Sequence, residues 1–258
     1  MKKLVALMLC LAMLLVCCAG LAESDKEAVL AKGKLVVGIT DFAPMDYRDT
    51  DGSWVGFDAD MAQYFARYLG VEVEFVEIDW DNKVLELNSG NIDCVWNGMT
   101  LTDEVLSSMS CSNPYANNAQ IVIVPVEKAA DYQTVESLAG LTFAVEAGSA
   151  GQAAAEDLGV AFNPVQNQAA TLLEVAAQTS DAAIIDSLMA AAMVGEGTDY
   201  AGLTYTVPLT EEKYGVGFRQ GSDLVDALNA FFAASWADGS MMSTAELYGV
   251  QLAIIPQE

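Results

Sequence analysis

Residues 91–115 read NIDCVWNGMTLTDEVLSSMSCSNPY and contain the clearest strand-to-helix pattern in the chain. Residues 92–96 are an apolar run of β-forming residues. An Asn-Gly pair ends that run, and Thr100 and Thr102 then precede two acidic residues. A buried strand that leads into a helix N-terminus has this order of residues. The backbone N–H groups near Gly98 and the hydroxyl of Thr100 would suit a polar group of a small ligand. A strand and a capped helix without any ligand would have the same sequence.

The composition narrows the range of functions. The chain has 258 residues, with 11 basic residues against 36 acidic ones, which gives a formal net charge of −25. A surface of that charge repels nucleic acid and anionic lipid headgroups, so we exclude both as partners. The chain contains no histidine, which excludes a Ser-His-Asp or Cys-His catalytic arrangement and any His-ligated metal site. We expect no catalytic residues, no cofactor and no metal site.

The N-terminus has the pattern of a secretory signal. Residues 1–22 begin with two lysines, continue with an apolar run too short to span a membrane, and end in small residues. We favour cleavage before Glu23. The alternative is a lipoprotein cleaved before Cys18, although Cys17 occupies a position where such sites usually have a smaller residue. Both alternatives predict an exported protein, either periplasmic or extracellular, with a membrane anchor at Cys18 in the second case.

Two cysteines, Cys94 and Cys111, remain once residues 1–22 are removed. Two cysteines in an exported chain favour a disulfide, which would tie together the two flanks of the opening stretch. The alternative is a pair of buried thiols that behave as small apolar side chains. The chain has no C-x-x-C spacing, so neither a redox site nor a zinc site is indicated.

Strand-like and helical segments alternate along the chain, which predicts an α/β fold. We predict strands at residues 34–39, 71–78, 92–96, 141–145 and 182–185, and near residue 160. We predict helices at residues 82–88, 151–158, 169–179, 224–236 and 241–248.

Four further places offer groups that could contact a ligand. The first strand leads to Asp41 and Phe42, an acid and an aromatic at the strand end where open α/β sheets bind ligands. Gly148 and Ser149 begin a helix, where backbone N–H groups could meet a ligand, although an ordinary helix cap has the same residues.

Trp80 and Asp186 stand at the other two places. The indole of Trp80, just after the second strand, can lie against an apolar or cationic part of a ligand. Asp186 ends a buried strand, where a carboxylate needs a partner.

Four motifs resemble those of a known family. They are GSWVGFDADMAQYFARYLG at residues 52–70, WDNKVLELNSGNIDCVWNGMT at residues 80–100, SCSNPY at residues 110–115 and YGVGFRQGSDL at residues 214–224. In order and interval they are similar to the extracellular solute-binding proteins of polar amino-acid ABC importers. The resemblance covers essentially everything after residue 32.

The resemblance implies the type II periplasmic-binding-protein fold, in which two Rossmann-like α/β lobes are joined by a two-strand hinge and enclose the ligand cleft. It implies that residues 23–120 and 214–258 form lobe 1 and that residues 121–213 form lobe 2, after a signal peptide at residues 1–22. The implied protein is not an enzyme. It captures a small polar nitrogen-containing solute, with an amino acid as first choice, for a membrane permease, and it is a monomer.

The resemblance also implies roles for single residues. In the family an aromatic at the place of Trp80 flanks the ligand, and an aspartate at the place of Asp186 binds the ligand's α-amino group. The full set of expected ligand-binding residues is Asp41, Phe42, Trp80, Gly98, Thr100, Gly148, Ser149 and Asp186.

One position departs from the family. Its loop usually reads Gly-Met-Thr-x-Thr-x-Glu-Arg, and that arginine holds the ligand's carboxylate in a bidentate pair. Here Val105 stands in its place, which removes a contact worth about 1.5–3 kcal/mol.

Three alternatives stay open for the ligand. Backbone N–H groups with the hydroxyls of Thr100 and Ser149 could hold a carboxylate. Lys83 could reach it, although we expect this lysine to be solvated. The ligand could instead be an amine, polyamine or quaternary ammonium compound without a carboxylate. A cyclohexadienyl-dehydratase-like enzyme on the same fold and a sensor for a membrane receptor are alternative functions.

Overall fold

The predicted strands pair into two large sheets within residues 24–257, the part of the chain that the computed structural model describes. The strands are β1 (Lys34–Ile39), β2 (Tyr47–Arg48), β3 (Trp54–Val55), β4 (Glu72–Glu77), β5 (Cys94–Thr100), β6 (Ser110–Cys111), β7 (Ala116–Asn118), β8 (Gln120–Pro125), β9 (Thr142–Glu146), β10 (Ala161–Val165), β11 (Ala182–Asp186), β12 (Leu203–Pro208) and β13 (Glu212–Phe218). The α-helices are α1 (Asp25–Lys32), α2 (Phe57–Leu69), α3 (Lys83–Ser89), α4 (Asp103–Ser108), α5 (Ala150–Leu158), α6 (Gln168–Ala176), α7 (Ser187–Met193), α8 (Leu224–Ala237) and α9 (Ser240–Leu247). Short 3-10 helices cover Trp80–Asn82, Val126–Asp131 and Val135–Leu138.

Each large sheet belongs to one lobe. Lobe 1 contains the order β4-β1-β5-β13-β6, with β7 also paired to β13, and lobe 2 contains the order β10-β9-β11-β8-β12. The chain crosses to lobe 2 between β7 and β8 and returns between β12 and β13. The strands of the first sheet therefore come from two separate segments of the chain, and the predicted two-lobe α/β fold is confirmed.

Sheet position explains the strand sequences. The run KLVVGI of β1 is almost entirely buried because β4 and β5 pair with it on both edges, and parallel strands inside a sheet are covered on both faces. β4 lies at the edge and alternates exposed glutamates with partly buried apolar residues, as its sequence predicts.

The predicted break of the strand at Asn97-Gly98 is wrong, because β5 continues to Thr100. The buried polar side chain of Asn97 is satisfied by Thr40. Its Oδ1 accepts from the Thr40 N–H at 2.9 Å, and its Nδ2 donates to Thr40 Oγ1 at 2.7 Å. Gly98 has a positive φ of 54°, and pairing of β5 with β13 is irregular across residues 96–98. The glycine permits a bulge within the strand where the sequence suggests an end.

The expected disulfide is also wrong, because Cys94 and Cys111 are both free. Cys94 on β5 pairs with Phe218, and Cys111 on β6 pairs with Gly217, so β13 lies between the two cysteines. Two strand spacings place them about 9–10 Å apart, beyond the reach of a disulfide. Cys94 belongs to the main apolar core, whereas Cys111 packs against a separate cluster that contains Trp80.

The predicted signal segment and both cleavage sites lie outside the described residues. The first described helix, α1, begins after Ser24, whose hydroxyl accepts from the backbone N–H of Glu27 at 3.2 Å. Within residues 24–257, every helix is too short or too polar to cross a membrane.

Candidate functional site

A cavity of about 240 Å³ lies between the two lobes. Lobe 1 contributes two walls, one from the β5–α4 connection and one from the segment that begins at Trp80. Lobe 2 contributes the third wall, the N-terminal end of α5. The lining residues are Met99, Thr100, Thr102, Asp103, Glu104 and Val105, then Trp80, Lys83 and Val84, and lastly Gly148, Ser149, Ala150 and Ala153.

The first wall is the connection between strand β5 and helix α4, within residues 91–115. Thr102 caps α4, as predicted, because its Oγ1 accepts from the backbone N–H of Val105 at 3.2 Å. Thr100 Oγ1 donates to Glu212 Oε2 at 2.9 Å. Val105 is buried in one apolar cluster with Trp80 and Met99. The part of this wall that Val105 covers is therefore apolar and offers no positive charge to a ligand.

The second wall carries the cation of the cavity. Lys83 Nζ lies 5.0 Å from the centroid of the Trp80 ring. It donates to the Trp80 carbonyl at 3.3 Å and to the Gly148 carbonyl of lobe 2 at 2.9 Å. Burial lowers the pKa of Lys83, and the carboxylates of Glu104, Glu146 and Asp81 oppose that shift. Our expectation of a solvated lysine is therefore wrong, because this side chain points into the cleft to reach Gly148.

In the third wall, Gly148 and Ser149 form an ordinary helix cap, which is one of the two alternatives for their sequence. Ser149 Oγ accepts from the backbone N–H of Gln152 at 3.1 Å, which caps α5. The N–H of Gly148 donates to Gln152 Oε1 at 3.0 Å. Both groups already have partners within lobe 2, so a ligand would share the Ser149 hydroxyl or meet the neighbouring backbone.

The two lobes touch along the segment of residues 79–83. Gly148 has a φ of +69°, and a Cβ atom there would lie 2.8 Å from the Cα of Asp81. Gln166 Nε2 of lobe 2 donates to Asp79 Oδ1 at 3.1 Å. With the bond from Lys83 to Gly148, these contacts describe a closed cleft.

Beneath the cavity lies a network of buried acids and amides. Asp186, only 3% exposed, accepts hydrogen bonds from the amides of Asn118 and Gln168, and from Gln120 Nε2 at 2.9 Å. Glu212 Oε2 accepts from the amide of Asn118 at 3.2 Å and from that of Gln120 at 3.0 Å. Burial and the nearby charge of Glu212 raise the pKa of Asp186 to about 7.

Asn118, Gln120, Gln168 and Glu212 were not predicted as functional residues. The sequence does contain a signal for Gln120, because it is the one strongly polar side chain in the apolar run of β8. Nothing local indicates that the other three residues meet Asp186.

A second buried acid stands at the end of β9. Glu146 is 3% exposed, and its Oε1 has no hydrogen-bond partner among residues 24–257. Burial and the charge of Asp186 raise its pKa to about 8, while Lys83 lowers it. At neutral pH this carboxyl group is therefore mostly protonated. No cluster of His, Cys, Asp and Glu in the described part of the chain is suited to a metal ion.

Four of the eight expected ligand-binding residues line the cavity, and four do not. The four that line it are Trp80, Thr100, Gly148 and Ser149. The four that do not are Asp41, Phe42, Gly98 and Asp186.

The contacts of the second group explain their placement. Phe42 is buried against Tyr214, with ring centroids 6.4 Å apart, and it covers Gly98. The N–H of Gly98 donates to Asp58 Oδ2 at 2.6 Å, so it is not free for a ligand. Asp41 is partly buried, and burial together with the charge of Glu77 raises its pKa.

Comparison with known proteins places this geometry in context. The family model described as bacterial extracellular solute-binding proteins, family 3, matches residues 35–251. The arginine-binding extracellular protein ArtP of Bacillus subtilis is 28% identical over 237 residues, which cover 89% of this chain and 91% of ArtP.

This chain is also similar to a solved structure and to an enzyme. The structure of an ABC uptake transporter substrate binding protein from Streptococcus pneumoniae with bound histidine has a TM-score of 0.82 and 29% identity. The match covers 89% of this chain and 98% of that one. Cyclohexadienyl dehydratase of Pseudomonas aeruginosa is 30% identical over 138 residues, which cover 53% of this chain and 52% of the enzyme.

Proposed function

Because this chain belongs to family 3 of the bacterial extracellular solute-binding proteins, we propose that it captures an amino acid for an ABC importer. The observation that carries the proposal is the cavity between the lobes, to which both lobes contribute walls. Relatives of this chain include proteins described as arginine-binding, histidine-binding and L-cystine-binding. The ligand class proposed here is therefore an L-amino acid.

The mechanism is closure of two lobes over the ligand. Within residues 24–257, the chain passes between lobe 1 and lobe 2 at two places, β7–β8 and β12–β13, and these crossings act as the hinge. A ligand that contacts Trp80 and Thr100 on one side and Ser149 on the other binds the closed state better than the open one. It therefore shifts the population towards the closed state.

The closed protein then presents a surface to its partner. We propose that this partner is the membrane permease of the importer and that the binding protein acts as a monomer. Residues 1–22 would direct export to the periplasm or the cell exterior. Cleavage before Cys18 instead of Glu23 would leave a lipoprotein anchored to the membrane.

A thermal-shift panel of the L-amino acids on purified residues 23–258 tests the binding function. A ligand at about 100 times its dissociation constant adds roughly 2.7 kcal/mol to the free energy of unfolding. For a protein of this size, that stabilisation raises the melting temperature by roughly 5–10 °C. If no L-amino acid raises the melting temperature, the proposed function is refuted. A rise with a parallel set of amines alone would indicate a ligand without a carboxylate.

The similarity to cyclohexadienyl dehydratase suggests a second function, catalysis of a dehydration. We propose that this chain binds its ligand without converting it. A dehydratase needs a general acid beside its substrate. Glu146 and Asp186, two buried acids with raised pKa values, do not line the cavity. Asp103 and Glu104 do line it, but both are exposed to solvent. We expect no turnover when the purified protein is incubated with a cyclohexadienyl substrate, and formation of the aromatic product would contradict this assignment.

A further inference from the structure

We propose that Lys83 binds the carboxylate of the ligand and that its charge selects carboxylate-bearing solutes over the corresponding amines. This inference rests on the proposed function, because it assigns a role within the same cavity. It chooses between the alternatives that the sequence leaves open.

The distribution of charge around the cavity is the first observation. Among the residues that line it, Lys83 is the only lysine or arginine. The acidic lining residues, Asp103 and Glu104, are exposed to solvent, which screens their charge. Lys83 is partly buried beside the Trp80 ring, where the field of a charge is stronger than in water. An anionic group of a ligand therefore has one favourable position, next to Lys83 Nζ.

The hydrogen bonds of Lys83 are the second observation. An ammonium group has three N–H donors, and two of them meet the carbonyls of Trp80 and Gly148. Both acceptors are neutral. Among the described residues, no carboxylate lies within ion-pair distance of Lys83. One donor of the ammonium group is therefore left for a ligand, and its positive charge has no carboxylate in direct contact.

The state of the buried acids is the third observation. Glu146 is the buried carboxyl group that acts on the charge of Lys83, but its raised pKa of about 8 leaves it mostly protonated at neutral pH. Asp186 lies outside the cavity lining and already accepts three amide donors. Neither acid gives the cavity an exposed negative charge for an amine. The geometry therefore favours a ligand with a carboxylate.

Lys83 also joins the lobes, and a purely structural role must be separated from ligand binding. The bond from Nζ to the Gly148 carbonyl would stabilise the closed cleft with any ligand. Loss of that bond would weaken the binding of amino acids and of amines alike. Loss of a contact with the ligand's carboxylate would weaken the binding of amino acids alone.

Isothermal titration calorimetry makes this separation with pairs of probes that differ by a carboxylate. The pairs are L-arginine with agmatine and L-histidine with histamine. The proteins are the unchanged chain, Lys83→Met, Lys83→Arg and the control Lys128→Met. Lys128 lies in lobe 2 away from the cavity, so the control removes one positive charge without changing the site.

We expect the unchanged protein to bind an amino acid more tightly than its amine. Lys83→Met removes the bond to Gly148 for both members of a pair, so both affinities should fall. The affinity for the amino acid should fall further than that for the amine, by an additional factor of roughly 10 to 150, the loss typical of a hydrogen bond to a charged group. Lys83→Arg should retain the preference for the amino acid. Lys128→Met should change the affinity for neither member of a pair. Melting temperatures without ligand check that each variant is folded, and Lys83→Gln replaces Lys83→Met if that variant is unfolded.

Three results would overturn the proposal. If Lys83→Met weakens both members of a pair equally, Lys83 only holds the lobes together. If the amines bind the unchanged protein as tightly as the amino acids, the binding function survives but carboxylate selection by Lys83 does not. If no probe binds but the thermal-shift panel identifies another amino acid, that amino acid and its decarboxylated amine form the test pair. If no L-amino acid binds the unchanged protein by either method, the proposed amino-acid function fails, and the role of Lys83 fails with it.

Discussion

A single methyl group at Gly148 is expected to prevent full closure of the cleft. A Cβ atom there would lie 2.8 Å from both the Cα and Oδ1 of Asp81 in the opposite lobe. Since real Cβ contacts essentially never fall below 3.0 Å, the two backbones would have to separate. Separation would stretch the hydrogen bond between Lys83 Nζ and the Gly148 carbonyl, now 2.9 Å long.

The magnitude follows from two contributions. Loss of a hydrogen bond to a charged group costs about 1.5–3 kcal/mol, so Gly148→Ala should weaken ligand binding by roughly 10- to 150-fold. The positive φ of +69° adds a second cost of about 1–2 kcal/mol, because alanine disfavours the left-handed region. That second cost lowers the stability of lobe 2 whether or not a ligand is bound.

Gly159→Ala is the matched control. Gly159 lies in the same lobe with a φ of +67°, but nothing lies within 4 Å of the position of its Cβ atom. Both variants should therefore lose about the same stability without ligand, measured as a fall of a few degrees in melting temperature. Only Gly148→Ala should lose affinity for the amino acid identified by the thermal-shift panel, measured by titration calorimetry. Equal affinities in the two variants would refute tight contact between the lobes at Gly148 in the bound state.

Three further predictions concern the buried acids, the cysteines and the apolar wall. Because burial raises the pKa of Glu146 to about 8, its stabilising contribution is complete below its ordinary pKa of 4.5 and is lost as the pH rises through 8. The fall in melting temperature between pH 5 and pH 9 should therefore be smaller in Glu146→Gln, and an unchanged slope would contradict the burial of this charge. Mass spectrometry after denaturation and alkylation without reductant should find Cys94 and Cys111 both alkylated, whereas a bridged pair would resist the reagent. Val105→Arg should restore amino-acid binding to Lys83→Met by at least about tenfold, since both positions line one cavity, and no restoration would place the carboxylate elsewhere.

Much of the fold is readable from local patterns. The apolar run KLVVGI predicts β1 to the residue, and the alternation of acids and apolar residues predicts the edge strand β4. The threonine ahead of two acidic residues predicts the start of α4. These signals succeed because burial and helix capping involve residues that are close in sequence.

The errors occur where a residue's partner is remote in the chain. The sequence predicts that the strand ends at Gly98. In the structure, the carboxylate of Asp58, 40 residues earlier, accepts a hydrogen bond from the Gly98 N–H, and the strand continues. Cys94 and Cys111 read as a pair, but β13, more than 100 residues further along the chain, lies between them.

The periodicity of the sequence predicts the α/β class, and its four motifs resemble a family whose members have two lobes. Which groups line the cavity depends instead on contacts between residues that are remote in the chain. Lys83 reads as a surface lysine until the carbonyl of Gly148, 65 residues away, is brought against it. Asp186 reads as a residue in need of a partner until the amides of Asn118, Gln120 and Gln168 surround it. A hydrogen bond depends on distance in space, and no local pattern encodes the distance between two lobes.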